Sequence, residues 1–486
     1  MNKEEVRKQR DHIISQLKQY SPLFKPFFEM DKSLEEYSKN IYDFDRNYRY
    51  IERQKQIKKL IENKFKKLFP KEYDSLNIDY NDQWACNIVD HHQILNNPLI
   101  ISSNIITSID KFLKDEKQKA IITISSGDVP PNNYFSRNGF EVAGKRVPIF
   151  TNKEKEYNSN LLPKRDFDFL KNLKLAKRLN EFNKEELKFL EEEVKWIQGL
   201  DYSGCDNYND QISVLVKNQW PRMYEEKIRS TLPDLLYITQ ENITTLSLLE
   251  ILDQDNLVTY TLFNKAFREK VIKTFRGIVV TWDESLPKGT HFFWRKHPDG
   301  FKSLRLYLEG DKLVPEDSRY KNLTFTLDQK TVRELLEKGE IYPSLFTIFM
   351  VVNFYYGIKP LVGQGSLTYL NLIRQKWLNV LEESDYASEL DNIKSYKIDK
   401  LITGIIIFFE KHNSGVKTLW AYDIIKQGGI KEEYLKKLFD MPFKNLLTTA
   451  VVGIYDYIGP KYVPEKERII PTVTSDELAN LIFNWL

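Results

Sequence analysis

The stretch Cys86-Asn87-Ile88-Val89-Asp90-His91-His92-Gln93-Ile94-Leu95-Asn96-Asn97-Pro98-Leu99, continued by Ala120-Ile121-Ile122-Thr123-Ile124-Ser125-Ser126-Gly127-Asp128, decides the fold. The first run is short and half apolar, and it passes into a polar loop. Leu99, Ile105, Ile106, Ile109 and Phe112 then form a helical stripe, and the second run is almost wholly apolar. A strand buried on both faces reads as such a continuous run, so the pattern predicts a βαβ unit over about 84–128. Open parallel sheets place ligands in loops beyond the carboxyl ends of their strands. Asp90-His91-His92 and Ser126-Gly127-Asp128 are expected there, on one edge.

Working outward, residues 1–80 read as charged helices: Ile14, Leu17 and Tyr20 share one face, and a longer helix is expected from Leu34 to Phe69. The core's first part is expected over 81–165, with a loop at Val129-Pro130-Pro131-Asn132-Asn133-Tyr134 and a strand at Arg146–Phe150. An inserted helical subdomain is expected over 166–273, where Leu187, Leu190, Val194 and Ile197 recur at helical spacing. The second part of the core, 274–382, shows strand patterns at Gly277–Trp282, Thr290–Trp294 and Leu304–Leu308. Pro360-Leu361-Val362 then runs through Gly363-Gln364-Gly365-Ser366 into a helix carrying Leu370, Ile373, Trp377 and Leu381. Residues 383–486 read as a helical C-terminal domain. The expected fold is α/β, a Rossmann-like parallel sheet core with large helical N-terminal, inserted and C-terminal segments.

Composition narrows the class. Of 486 residues, 41% are apolar and 29% charged, which is globular, and 72 basic against 69 acidic side chains leave a net charge of +3. That balance gives no general pull toward nucleic acid or an anionic membrane. Two cysteines, Cys86 and Cys205, support neither a disulfide framework nor a cysteine-based zinc site. The charged start of the chain lacks a secretion signal, and no run approaches the ~20 apolar residues of a membrane span, so a cytoplasmic protein is expected.

Histidine titrates near neutrality and binds metals, and aspartate can orient it or hold a hard cation. Asp90, His91, His92 and Asp128 are therefore the candidate catalytic residues, with one histidine as base. Asn97-Pro98 suits a helix start, where the free amides serve either as a plain cap or as an anion site. Asn133, His291, Arg295 and Gln364 are candidate substrate contacts, with Arg295 as anion clamp. No Walker motif and no dinucleotide fingerprint occurs at these loops.

Two resemblances follow from these residues. Asp90-His91-His92 after an apolar strand resembles the signature of DHH-type phosphoesterases, which implies divalent metal ligation. More broadly, the two strand–loop–helix units resemble the bacillithiol-synthesis cysteine ligase family, a Rossmann-like core joined to a helical domain. Asn97-Pro98-Leu99 matches that family's helix start, and Asn104 falls where its helix carries a lysine. Ser126-Gly127-Asp128 takes the place of its acidic loop, and Val362–Tyr369 is similar to its later glycine-rich turn. The family's Gln-Gln pair is replaced near Asp90 and His91. The resemblance implies substrate contacts from Asn97, Asn104, Ser126, Gln364 and Tyr369, and a reaction joining an amino acid or similar nucleophile to a polar acceptor. The alternatives are a metal-dependent phosphoesterase and a non-catalytic, metabolite-binding helical protein. A divalent metal or a nucleotide fits as cofactor, a small polar anionic metabolite as partner, and the helical segments offer homodimer surfaces.

Overall fold

A computed structural model describes residues 2–41, 48–80, 85–400, 404–413 and 415–486. Its centre is a curled, four-stranded, all-parallel sheet of β1 (Ala85–His91), β2 (Ile121–Ser126), β3 (Leu235–Thr239) and β4 (Pro360–Leu361), in the spatial order β4-β1-β2-β3. β2 and β3 are buried at every residue, as the continuous apolar run predicts. They pair in register from Ile121↔Leu235 to Ser125↔Thr239. β1 pairs with β2 at Ala85↔Thr123 and Cys86↔Ile124, then slips, so that His91 lies opposite Ser126. The expected strand–loop–helix order over this unit is present. Asn97 caps the helix Pro98–Ile106 by accepting from the Leu99 amide at 2.9 Å, with Pro98 at its first position.

β3 corrects the reading of 166–273 as an inserted helical subdomain. Its strand Leu235–Thr239 completes the central sheet and packs against the helix Tyr208–Gln219. The expected strand Gly277–Trp282 is also absent. The Thr281 hydroxyl instead bonds the Phe275 carbonyl at 2.6 Å and the Ile278 carbonyl at 2.8 Å, folding this stretch back onto the end of the helix Lys265–Phe275. Val280 sits at φ 72°, a conformation a β-branched residue rarely adopts. The other two expected strands are shorter, Phe293–Lys296 and the pair Ser303–Leu304 and Leu306–Glu309. They belong to two small antiparallel sheets apart from the core. The strand expected at 146–150 is Lys145–Pro148, paired with Gly139–Val142 as a hairpin.

The single helix expected over 34–69 is two, Leu34–Lys39 and Tyr48–Leu68; residues 42–47 lie outside the described ones. The first helix, Lys3–Tyr20, packs Ile13 and Leu17 against the helix Val451–Tyr462. Gln16 there bonds Tyr455 and the Glu467 carbonyl, so the two ends of the chain share one apolar cluster running from Val6 to Phe483. Among the described residues no helix is long and apolar enough to cross a membrane.

Candidate functional site

The four strands point their carboxyl ends to one edge, where the loops after β4, β1, β2 and β3 stand in that order. The loop after β2 carries Gly127 and Asp128, and β3 runs straight into the helix Gln240–Ile251, capped by Thr239. Glu241, in the first turn of that helix and 1% exposed, reaches back across the edge. Its carboxylate accepts the Gly127 amide at 2.8 Å and the Asp128 amide at 3.0 Å. This approach requires glycine at 127. A Cβ there would lie 2.7 Å from Asn209 Nδ2, 2.7 Å from Thr239 Cγ2 and 2.9 Å from Glu241 Oε2.

Asp128 accepts from Asn158 Nδ2 and, at 3.3 Å, from the Tyr342 hydroxyl. Asn158 also donates to Tyr342 at 2.8 Å and to Ser303 at 3.1 Å. Burial pushes the Glu241 carboxyl up to about 7, against the backbone N–H groups that favour its charge. Burial raises Asp128 well above the usual carboxylate range, and the Glu241 charge adds to it. Two carboxyls in one site cannot both ionise freely, so they titrate as a pair that holds a proton near neutrality.

The pair separates two cavities. Glu241 and Tyr342 line one of about 570 Å³, with Asn160, Asn207, Asn242 and Lys296 supplying further polar groups. Asp128 lines the other, about 460 Å³, with Val280, Trp282, Lys288 and Trp294. Among the described residues Asn209, 5% exposed and next to Gly127, has no partner for either amide atom, and Asn242 Oδ1 has none either. Buried amides left unpaired are uncommon, and here they cluster beside the carboxyl pair.

The Asp90-His91-His92 stretch, expected as a loop, continues β1 through His91 and is a different environment. His92 is fully buried: Nδ1 meets Ser125 Oγ and Nε2 meets the Asn209 carbonyl, both at 2.8 Å. Burial lowers its pKa to about 4, so it is neutral and structural. Asp90 accepts from the Tyr237 hydroxyl and, at 3.0 Å, from Asn104 Nδ2; burial pushes it up to about 7, yet it lines no described cavity. Asn104 is spent on that network and on Thr123 Oγ1 at 3.2 Å, and it is fully buried. His91 is half-buried, bonded to Asn133 Oδ1 at 2.9 Å and set edge-on to Phe135. It shares only a narrow crevice with Asn97. Asn133 accepts the Phe135 and Ser136 amides, a turn role, and the Ser126 carbonyl accepts the His92 amide.

Arg295, the expected anion clamp, leaves Nε and Nη1 without a partner among the described residues. It pairs with Glu340 at 2.5 Å and shares no cavity with Asn97. His291 is buried, donating through Nε2 to Glu284 at 2.9 Å and accepting the Leu308 amide through Nδ1. Gln364 lines a third cavity of about 380 Å³ between the loops after β1 and β4, where the strand order reverses, with Leu99, Gly365 and Ala450. Tyr369, farther along that helix, stacks on Phe349. His91, Asp128 and Gln364 thus stand on one edge but open into three cavities, with Phe135 walling two of them. Ser366 lies in the first turn of the same helix, accepting the amide of Gly363, its capping residue.

Glu241, Asn158, Asn209 and Tyr342 escaped the sequence reading. A signal for the first existed: Leu235-Leu236-Tyr237-Ile238, framed by Pro233-Asp234 and a capping Thr239, is a buried-strand pattern. No protein-family model, curated protein sequence or solved structure matches the chain.

Proposed function

We propose that this chain is an enzyme of small-molecule chemistry whose proton-transfer machinery is the Asp128–Glu241 pair. Its polar substrate would enter the cavity beside Glu241. One observation carries the reading: the buried Glu241 and the half-buried Asp128 share one site, each facing a different cavity, with Glu241 held at about 7. A general acid or base is most effective when its pKa lies near the working pH. The core is read as Rossmann-like, supported by its all-parallel strands and by the reversal of strand order beside β1. Joining an amino acid or similar nucleophile to a polar acceptor suits such a pair. The ionised carboxyl takes the nucleophile's proton as its bond to the acceptor forms, and the protonated one delivers a proton to the departing group.

The phosphoesterase alternative has less support. Asp90 and His92 are committed inside the fold, and among the described residues no three His, Cys, Asp or Glu side chains converge. Carbon-13 NMR of glutamate-labelled protein tests the proposal. One carboxyl is expected to titrate with a midpoint near 7 and to vanish in Glu241→Gln. If every glutamate titrates below about 5, the acid–base reading fails and a purely binding role takes its place.

A further inference from the structure

A fourth cavity, of about 590 Å³, lies away from the carboxyl pair. Arg137, Arg146, Lys155 and Arg178 line it together with Asn132, Asn138, Thr151, Asn152 and Asn172, and among the described residues no carboxylate lines it. The four cations are spread over some forty residues and come together only through the fold. We infer that this cavity binds a small molecule carrying a phosphoryl group, in a site independent of Asp128 and Glu241.

The charge balance supports this. Arg146 pairs with Glu141 at 2.6 Å and Arg178 with Glu181 at 2.7 Å. Arg137 and Lys155 have no carboxylate partner among the described residues, so two positive charges stay uncompensated around one space. The end of the helix Phe169–Leu175, which also borders it, offsets only about half a charge. Burial holds Arg146 below its ordinary range, and the charges of Arg137 and Arg178 push it the same way. Two like charges left unpaired in one concavity favour an anion entering it.

The backbone is arranged to present these groups. Arg137 and Asn138 are consecutive left-handed residues, at φ 45° and 59°. The Arg137 amide bonds the Asn133 carbonyl, and the Asn138 side chain holds both the N–H and the C=O of Phe150. Strained backbone persists where its surroundings fix it, and it concentrates at ligand sites. Arg146 is likewise pinned, donating to the Ser136 and Gly139 carbonyls at 2.8 and 3.2 Å. A guanidinium fork matches phosphoryl oxygens in a way a lone ammonium does not, and Arg137 keeps its fork clear of carboxylates among the described residues, whereas Arg178 spends Nε and Nη2 on Glu181 and Arg146 spends Nη2 on Glu141. The volume suits a metabolite-sized ligand.

Calorimetric titration of the full chain with inorganic pyrophosphate tests the site. Saturable 1:1 binding is expected, weakening as salt rises. The exposed Arg137→Gln, and separately Lys155→Gln, should each reduce affinity about tenfold without changing the unfolding midpoint. Glu241→Gln should bind pyrophosphate as wild type does, which keeps this inference separate from the proton-transfer proposal. Absent binding, affinity unchanged in both cation variants, or loss of binding in Glu241→Gln would each overturn the site. Citrate binding as tightly as pyrophosphate would overturn the phosphoryl assignment.

Discussion

At the end of β1, His92 turns both ring nitrogens into the interior and Asp90 is held by Tyr237 and Asn104. Farther along the same edge, Asp128 and Glu241 face cavities, and among the described residues Asp90 Oδ1 is as unpartnered as the Asn209 amide beside them. Asp90 and Glu241 are both pushed up to about 7 by burial. A shifted pKa therefore does not distinguish them; access does. A buried titratable group that reaches no cavity stabilises the fold or costs it stability, whereas one on a cavity wall can exchange a proton with a ligand.

Substitutions can break this contrast. The largest loss of stability is expected for His92→Ala, about 3 kcal/mol, because it leaves a cavity and strips the Ser125 hydroxyl of its partner. The urea midpoint should fall while the glutamate titration near pH 7 stays in place. Loss of that titration would tie the two regions together. Gly127→Ala should cost about 2 kcal/mol through overpacking against Asn209, Thr239 and Glu241. It should also move the titration, since the loop amides that hold Glu241 must shift. A protein as stable as wild type would show that this loop yields. His91→Ala should cost least, about 1 kcal/mol, since the ring is half-buried and makes one side-chain hydrogen bond.

The pH dependence sharpens the same comparison. Glu241 ordinarily titrates near 4.5 and in the fold near 7, so between these values the folded protein holds a proton that the unfolded chain has lost. Its contribution is complete below about 4.5 and is lost as pH rises through 7. His92 runs the other way: its contribution is present above 6.5 and is lost as pH falls toward about 4. Unfolding midpoints measured from pH 7 down to pH 5 should therefore decline more steeply in Glu241→Gln than in wild type. Parallel curves would show that Glu241 does not titrate in this interval.

The sequence by itself determined the βαβ unit. The apolar run Ala120–Ile124 predicts the doubly buried strand that forms over Ile121–Ser126, and Asn97-Pro98 starts its helix by local capping. It also placed Asp128 on the ligand edge, because a strand's direction fixes where its loop emerges. Tertiary structure alone decided which polar residues meet. Glu241 reaches Asp128 because β3, more than a hundred residues beyond β2, pairs beside it. Gly277–Trp282, a strand by composition, became a turn when Thr281 bonded the end of a helix. Whether a histidine faces inward or outward depends on such long-range pairings. β1 runs through His91, and successive side chains along a strand point to opposite faces, so which of Asp90, His91 and His92 meets the interior follows from how β1 pairs with its two neighbours.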